Sequence, residues 1–147
     1  MWGLGPPKDN IESWHDIHAY IAEYPDNATW SEWKAIASSI IESLESLNLT
    51  SSFRIGQSMH HIIISTLDHH RLRNEPRVTF EINSKDKVVR LTYSRSNAYF
   101  GEVEDECTCS VDSVLPVIRR YLTRLWEETV PNLALPIGLQ ATGRTSQ

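Results

Sequence analysis

The sequence predicts an α+β, two-layer fold: a four-stranded antiparallel meander covered on one face by helices, in the order α-α-β-β-β-β-α. Three observations carry this. Apolar residues recur at helical spacing through residues 11–47 and again from Val114. Between those stretches the apolar period drops to two. Short polar turns then separate the alternating segments, as in hairpin-linked strands.

The first helix opens at Asp9 or Asn10. Asp9 and Glu12 have capping-box spacing, with an acceptor at the N-cap and an acid three residues on. Ile11, Trp14, Ile17 and Ile21 share one face, and Pro25 stops the helix. The segment Thr29-Trp-Ser-Glu32 repeats the capping box and starts a second helix. Its buried face is Trp30, Trp33, Ala37, Ile40, Leu44 and Leu47, while Ser38, Glu42, Glu45 and Ser46 can face water. The short PDNA link makes the two helices a packed hairpin.

Asn48 to Ser52 breaks the helical pattern. From Phe53 a long strand is expected, with Phe53, Ile55, Met59, His61 and Ile63 on one face. Arg54, Gly56, Ser58, His60 and Ile62 lie on the other, with a bend at Gly56. Residues 68–76 form a polar connection. Arg77–Asn83 is a strand with Val78, Phe80 and Ile82 inward, and Ser84–Asp86 is its turn. Lys87–Ser94 returns with Val89, Leu91 and Tyr93 inward. After a turn at Ser94–Asn97, Ala98–Cys109 is the fourth strand. There Tyr99, Gly101, Val103, Cys107 and Cys109 alternate with Phe100, Glu102, Glu104, Glu106 and Thr108.

Ser110 or Asp112 caps the third helix, and Pro116 falls in its first turn, where a missing N–H is tolerated. Val114, Ile118, Leu122, Leu125 and Trp126 form its apolar stripe, with Arg119, Arg120 and Arg124 on the other side. Pro131 ends it. The segment VPNLALPIGLQ is apolar but broken by proline, and reads as an extended arm laid on the domain before the loose tail ATGRTSQ. The organisation expected is a single domain over 1–147. It comprises an extended lead-in at 1–8, a globular core at 9–135, and a C-terminal arm and tail at 136–147.

At 147 residues the chain can bury one ordinary core, and five Trp and five Tyr enlarge it. No apolar run approaches the roughly 20 residues that span a bilayer. The start MWGLGPPKDN lacks a basic region followed by an apolar one, so no secretory signal is expected. Two cysteines one residue apart do not make a disulfide framework. The expectation is a cytoplasmic protein of bacterial style. Net charge is −5, split as −6 over residues 1–52, +4 over 53–100 and −3 over 101–147. The acidic ends, and a basic middle without a basic-aromatic stripe, disfavour nucleic acid as partner.

The histidine-rich stretch SMHHIIISTLDHH at 58–70 raises metal or acid–base chemistry. In a strand His60 and His61 point to opposite faces, so they cannot act as a pair. A zinc set of His61, His69, Cys107 and Cys109 is geometrically conceivable but has none of the usual ligand spacings. His15 and His18 share one side of helix one without a third ligand. No nucleophile elbow and no phosphate-binding glycine loop appear. A Cys–His couple would need Cys107 beside His61, and the acids before Cys107 oppose a thiolate. A pocket in the curved sheet would be lined by His61, Tyr93, Tyr99 and Cys107. A ligand-binding domain or small enzyme is therefore one alternative, and a zinc-stabilised regulator another. The bland reading of the histidines is one half-buried strand residue and solvated turn residues.

The acids GEVEDEC put Glu102, Glu104 and Glu106 on one strand face with Asp105 opposite. Such a row solvates an edge and discourages aggregation. It can equally meet a basic partner, raising association rate and specificity. Glu42 and Glu45 add the same sign, and Trp2 is a candidate aromatic contact.

The stretch FGEVEDECTCSVDSVLPVIRRYLTRLW at 100–126 resembles the closing part of small bacterial immunity proteins of polymorphic toxin systems. The resemblance covers about the last half of the chain and carries over no individual residue. It implies a cytoplasmic, non-enzymatic inhibitor that occludes a cognate toxin. The leading expectation is accordingly a protein-binding inhibitor with no cofactor, using Glu102, Glu104, Asp105, Glu106, Glu42, Glu45 and Trp2 against a basic toxin or effector. Monomer and homodimer are left open.

Overall fold

A computed structural model of the chain describes residues 9–66, 76–94 and 103–140. Helices α1 (Asn10–Ala22) and α2 (Ser31–Ser46) come first. Five strands follow: β1 (Arg54–Ser58), β2 (His61–Ser65), β3 (Arg77–Asn83), β4 (Val88–Ser94) and β5 (Val103–Ser110). Helix α3 (Val114–Thr129) closes the order. The strands form one open antiparallel sheet in sequence order, β1-β2-β3-β4-β5. The helices pack against it, so the fold is α+β, but with five strands rather than the expected four.

The extra strand comes from the histidine-rich stretch. The single long strand expected from Phe53 is in fact a hairpin that reverses at Met59-His60, not a strand bent at Gly56. Neither turn residue is Gly or Asn, so the usual hairpin signal is missing. Met59 nonetheless takes a left-handed φ of 58°. Helix α1 and the bend that follows it support the reversal: the Tyr20 and Tyr24 hydroxyls donate to Met59 O at 2.8 and 3.0 Å. The reversal also changes which residues share a face. Ile55 pairs with Ile64 and Gln57 with Ile62. Ile62 and Ile64 therefore join Phe53 and Ile55 in the core, whereas Ile63 turns to the other side.

The core face continues through Val78, Phe80 and Ile82, then Val89, Leu91 and Tyr93, as the alternation predicts. Helix α3 lies across β3 and β4 and buries Val114, Ile118, Leu122 and Leu125. Helix α2 contributes Trp33, Ile36, Ala37, Ile40, Ile41 and Leu44. These side chains form the core between sheet and helices.

Helix α1 starts as expected, with the Asp9 carboxylate accepting from Glu12 N–H at 2.8 Å. Trp14, Ile17 and Ile21 are buried, but Ile11 is exposed. Helix α2 starts differently. Its N-cap is Trp30, without a side-chain cap, and Asn27 Oδ1 instead accepts from Thr29 and Trp30 N–H. The expected Thr29 capping box does not form because Asn27 supplies that acceptor two residues earlier.

The two sheet edges are treated differently. Along β1, Ser13 Oγ accepts from Ile55 N–H at 3.0 Å and Trp14 Nε1 donates to Phe53 O at 2.9 Å. Helix α1 thus engages two of the backbone groups that the β1 edge turns outward. Among the described residues, strand β5 has a neighbour on one side only, and most of its residues are exposed. After α3, the arm returns to the body. Trp126 Nε1 donates to Leu133 O and Ala134 O, Leu139 is buried, and Gly138 passes against Leu47 O.

Candidate functional site

The register places the site residues expected from sequence on opposite sides of the sheet. His61 faces Glu81, Glu81 faces Arg90, and Arg90 faces Thr108. Cys107 pairs with Leu91 and Cys109 with Val89, both core residues. His61 and the thiols are therefore on different faces, and the Cys–His couple cannot form. The zinc set fails for the same reason, with His69 outside the described residues. Among those residues, no group of three His, Cys, Asp or Glu converges as a metal site. Burial, with Cys107 beside it, pushes the Cys109 thiol up, against thiolate chemistry.

Of the residues expected to line a pocket in the curved sheet, Tyr93 and Cys107 lie on the covered face and His61 on the other. Tyr93 is wholly buried on the covered face; its hydroxyl donates to Glu128 Oε1 at 2.7 Å. Arg124 lies over its ring, 4.2 Å from the centroid. Tyr99 lies outside the described residues, as do Trp2 and Glu102.

The acids of the fourth expected strand do not form one row. The register shifts between Tyr93 and Ser94, a β-bulge that breaks the alternation of β5. Glu104 and Asp105 both reach Arg124, at 3.7 and 3.6 Å, and Arg124 also meets Glu128 at 3.3 Å. Glu106 turns to the other face and accepts from Arg90 Nε at 2.8 Å. Arg90 reaches Glu81 at 3.4 Å, and Glu81 lies 3.4 Å from His61. The result is a polar strip, His61–Glu81–Arg90–Glu106, across four strands. The hydrogen bond and charge of Glu106 hold the Arg90 proton more firmly than usual. Glu104, Asp105 and Glu106, the acids of β5, are thus all met by arginines of neighbouring elements, Arg124 on one face and Arg90 on the other. Of the helix-two acids, Glu45 is taken up by His18 Nε2 at 2.9 Å, whereas Glu42 is exposed.

A groove of about 800 Å³ opens between the start of α2, the β1–β2 turn and the β3–β4 hairpin. Trp30, Trp33, His60, Lys85, Arg90 and Thr108 are among its lining. Its aromatic wall is braced from behind. Tyr24 stacks on Trp33 at 4.6 Å, and Trp30 lies 4.9 Å from both the Tyr24 and His60 rings. The Tyr24 hydroxyl is within 3.2 Å of His60 Nδ1. Burial raises the Tyr24 pKa, with Tyr20 adding to it, so the phenol stays neutral. Glu32 and Lys87 form an ion pair from α2 to the β3–β4 hairpin.

The sequence does not mark this groove as a site. Trp30 and Trp33 fit the helical core period, and His60 becomes accessible only through the unmarked turn. The Tyr20–Tyr24 spacing, one helical turn apart, is the single local signal. No helix among the described residues is long and apolar enough to cross a membrane. No protein-family model, curated protein or solved structure matches the chain.

Proposed function

We propose that the chain is a non-enzymatic partner-binding protein, an immunity-type inhibitor that occludes a basic toxin or effector. One observation supports this above the others: β5 carries Glu104, Asp105 and Glu106, all exposed, and no Lys or Arg of its own. Such a field steers a basic surface and disfavours acidic ones. The split of the acids between two faces makes the edge itself, rather than one face, the centre of the field. The resemblance of residues 100–126 to immunity proteins supplies the toxin as the specific partner class.

A pull-down from the producing cell tests the reading, using wild type and a Glu102→Lys/Glu104→Lys/Glu106→Lys variant whose fold is checked by circular dichroism. A basic protein should be retained by wild type, released by salt and lost with the variant. That protein should arrest growth when expressed alone and not when expressed with the chain. Retention indifferent to both salt and charge reversal would refute it.

A second reading has its own support. The groove beside Trp30 and Trp33 has the volume of a small-molecule site. Ligand-observed NMR with a fragment set, repeated on Trp30→Ala, checks it. Binding that survives the substitution would remove the groove as the site.

A further inference from the structure

We propose that β5 recruits its partner by strand addition, taking an extended basic segment as a sixth strand of the sheet. This rests on the partner-binding reading above and names how the contact is made.

The backbone makes the offer. Val111 N–H donates to Lys87 O at 3.0 Å, and the register pairs Val88 with Ser110. In an antiparallel ladder, alternate residues turn their N–H and C=O to the same neighbour. Cys107 and Cys109 therefore face β4, while Glu106, Thr108 and Ser110 present their backbone groups outward. Asp105 Oδ1 accepts from Glu106 N–H at 2.8 Å, which occupies one outward donor. The N–H of Thr108, its C=O and the N–H of Ser110 have no backbone partner among the described residues. At the opposite edge, α1 side chains bond two outward groups, Ile55 N–H and Phe53 O. Among the described residues no element engages the outward groups of β5 in this way, so β5 is where a strand can join.

Charge selects the occupant. Glu106 lies on one face of the edge and Asp105 and Glu104 on the other; all three are exposed, and β5 carries no Lys or Arg of its own. A strand paired with β5 places side chains about 5 Å from these acids. Lys or Arg at alternating positions would line one face of the added strand and meet the acid or acids on that face. A second copy of the chain would bring two acidic edges together, and like charges across a ladder repel.

The probe is a soluble peptide of alternating Lys and Thr, compared with the same peptide N-methylated at alternate amides. Methylation keeps the charge and removes the donors of one edge. Affinity is read by titration calorimetry, and the contact by amide exchange of the intact protein. The unmethylated peptide should bind, slow exchange of the Thr108 and Ser110 amides, and outbind the methylated one by about tenfold. Thr108→Pro removes an outward N–H that the sheet itself does not use, and should abolish the difference. Equal binding of the two peptides overturns strand addition and leaves charge-driven partner binding standing. No binding, or protection away from β5, overturns strand addition as well. Loss of the native partner's charge dependence in the pull-down would instead strike the functional reading, whatever the peptides do.

Discussion

Ser13→Ala is expected to weaken the fold through the β1 edge. Ser13 is buried; its Oγ accepts from Ile55 N–H at 3.0 Å and donates to Asn10 O at 2.6 Å. Ile55 is itself 2% exposed, so water has little access to its orphaned N–H. A buried donor left without a partner costs about 1–3 kcal/mol. Alanine recovers about 0.5 kcal/mol of helix propensity over serine. The net loss is about 1.5 kcal/mol, which corresponds to about 3–6 °C in Tm for a chain of this size. Urea unfolding followed by circular dichroism measures the stability, and native-state exchange of the Ile55 amide locates the effect. A loss below about 0.5 kcal/mol with unchanged Ile55 exchange would refute the reasoning. The edge would then be held by the packing of Trp14, Ile17 and Ile21, with the hydrogen bond contributing little.

Two further outcomes are expected. Burial, with Asp105 and Cys107 nearby, pushes the Tyr121 phenol up to about 12, while its hydroxyl is buried without a hydrogen bond of acceptable geometry. Because the folded value lies above the ordinary one near 10, its contribution to stability is complete below about pH 10 and is lost as pH rises through about 12. Tyr121→Phe should leave stability at pH 7 unchanged or higher by up to about 1 kcal/mol, and should flatten the alkaline decline in urea midpoints. Gly138→Ala would set a Cβ 2.0 Å from Leu47 O, a backbone atom. It should cost about 1–3 kcal/mol and speed exchange of the Leu139 amide, which now donates to Pro136 O at 2.9 Å.

Periodicity alone was enough to read the helix faces, the apolar face of β3 and β4, and the Asp9 cap, because each depends on neighbours within one turn or one hairpin. It was not enough at Met59-His60. That reversal carries no Gly or Asn of its own and is held by two tyrosine hydroxyls distant in sequence, one on α1 and one just after it. Misplacing it exchanged the faces of Ile62 and Ile63 and hid His60 among strand residues. The acids of β5 were legible as charge but not as geometry. Alternation placed Asp105 opposite Glu106, but a one-residue bulge moved Glu104 to the side of Asp105, and no local pattern encodes where Arg124 and Arg90 stand to receive them.

The sequence by itself determined the fold class and the charge of the closing strand, since both follow from composition and short-range spacing. Only the tertiary structure decided that His61 and Cys107 lie on opposite faces, that α1 side chains bond the β1 edge, and that β5 ends the sheet among the described residues. Those depend on strand register and helix placement, which long-range packing sets.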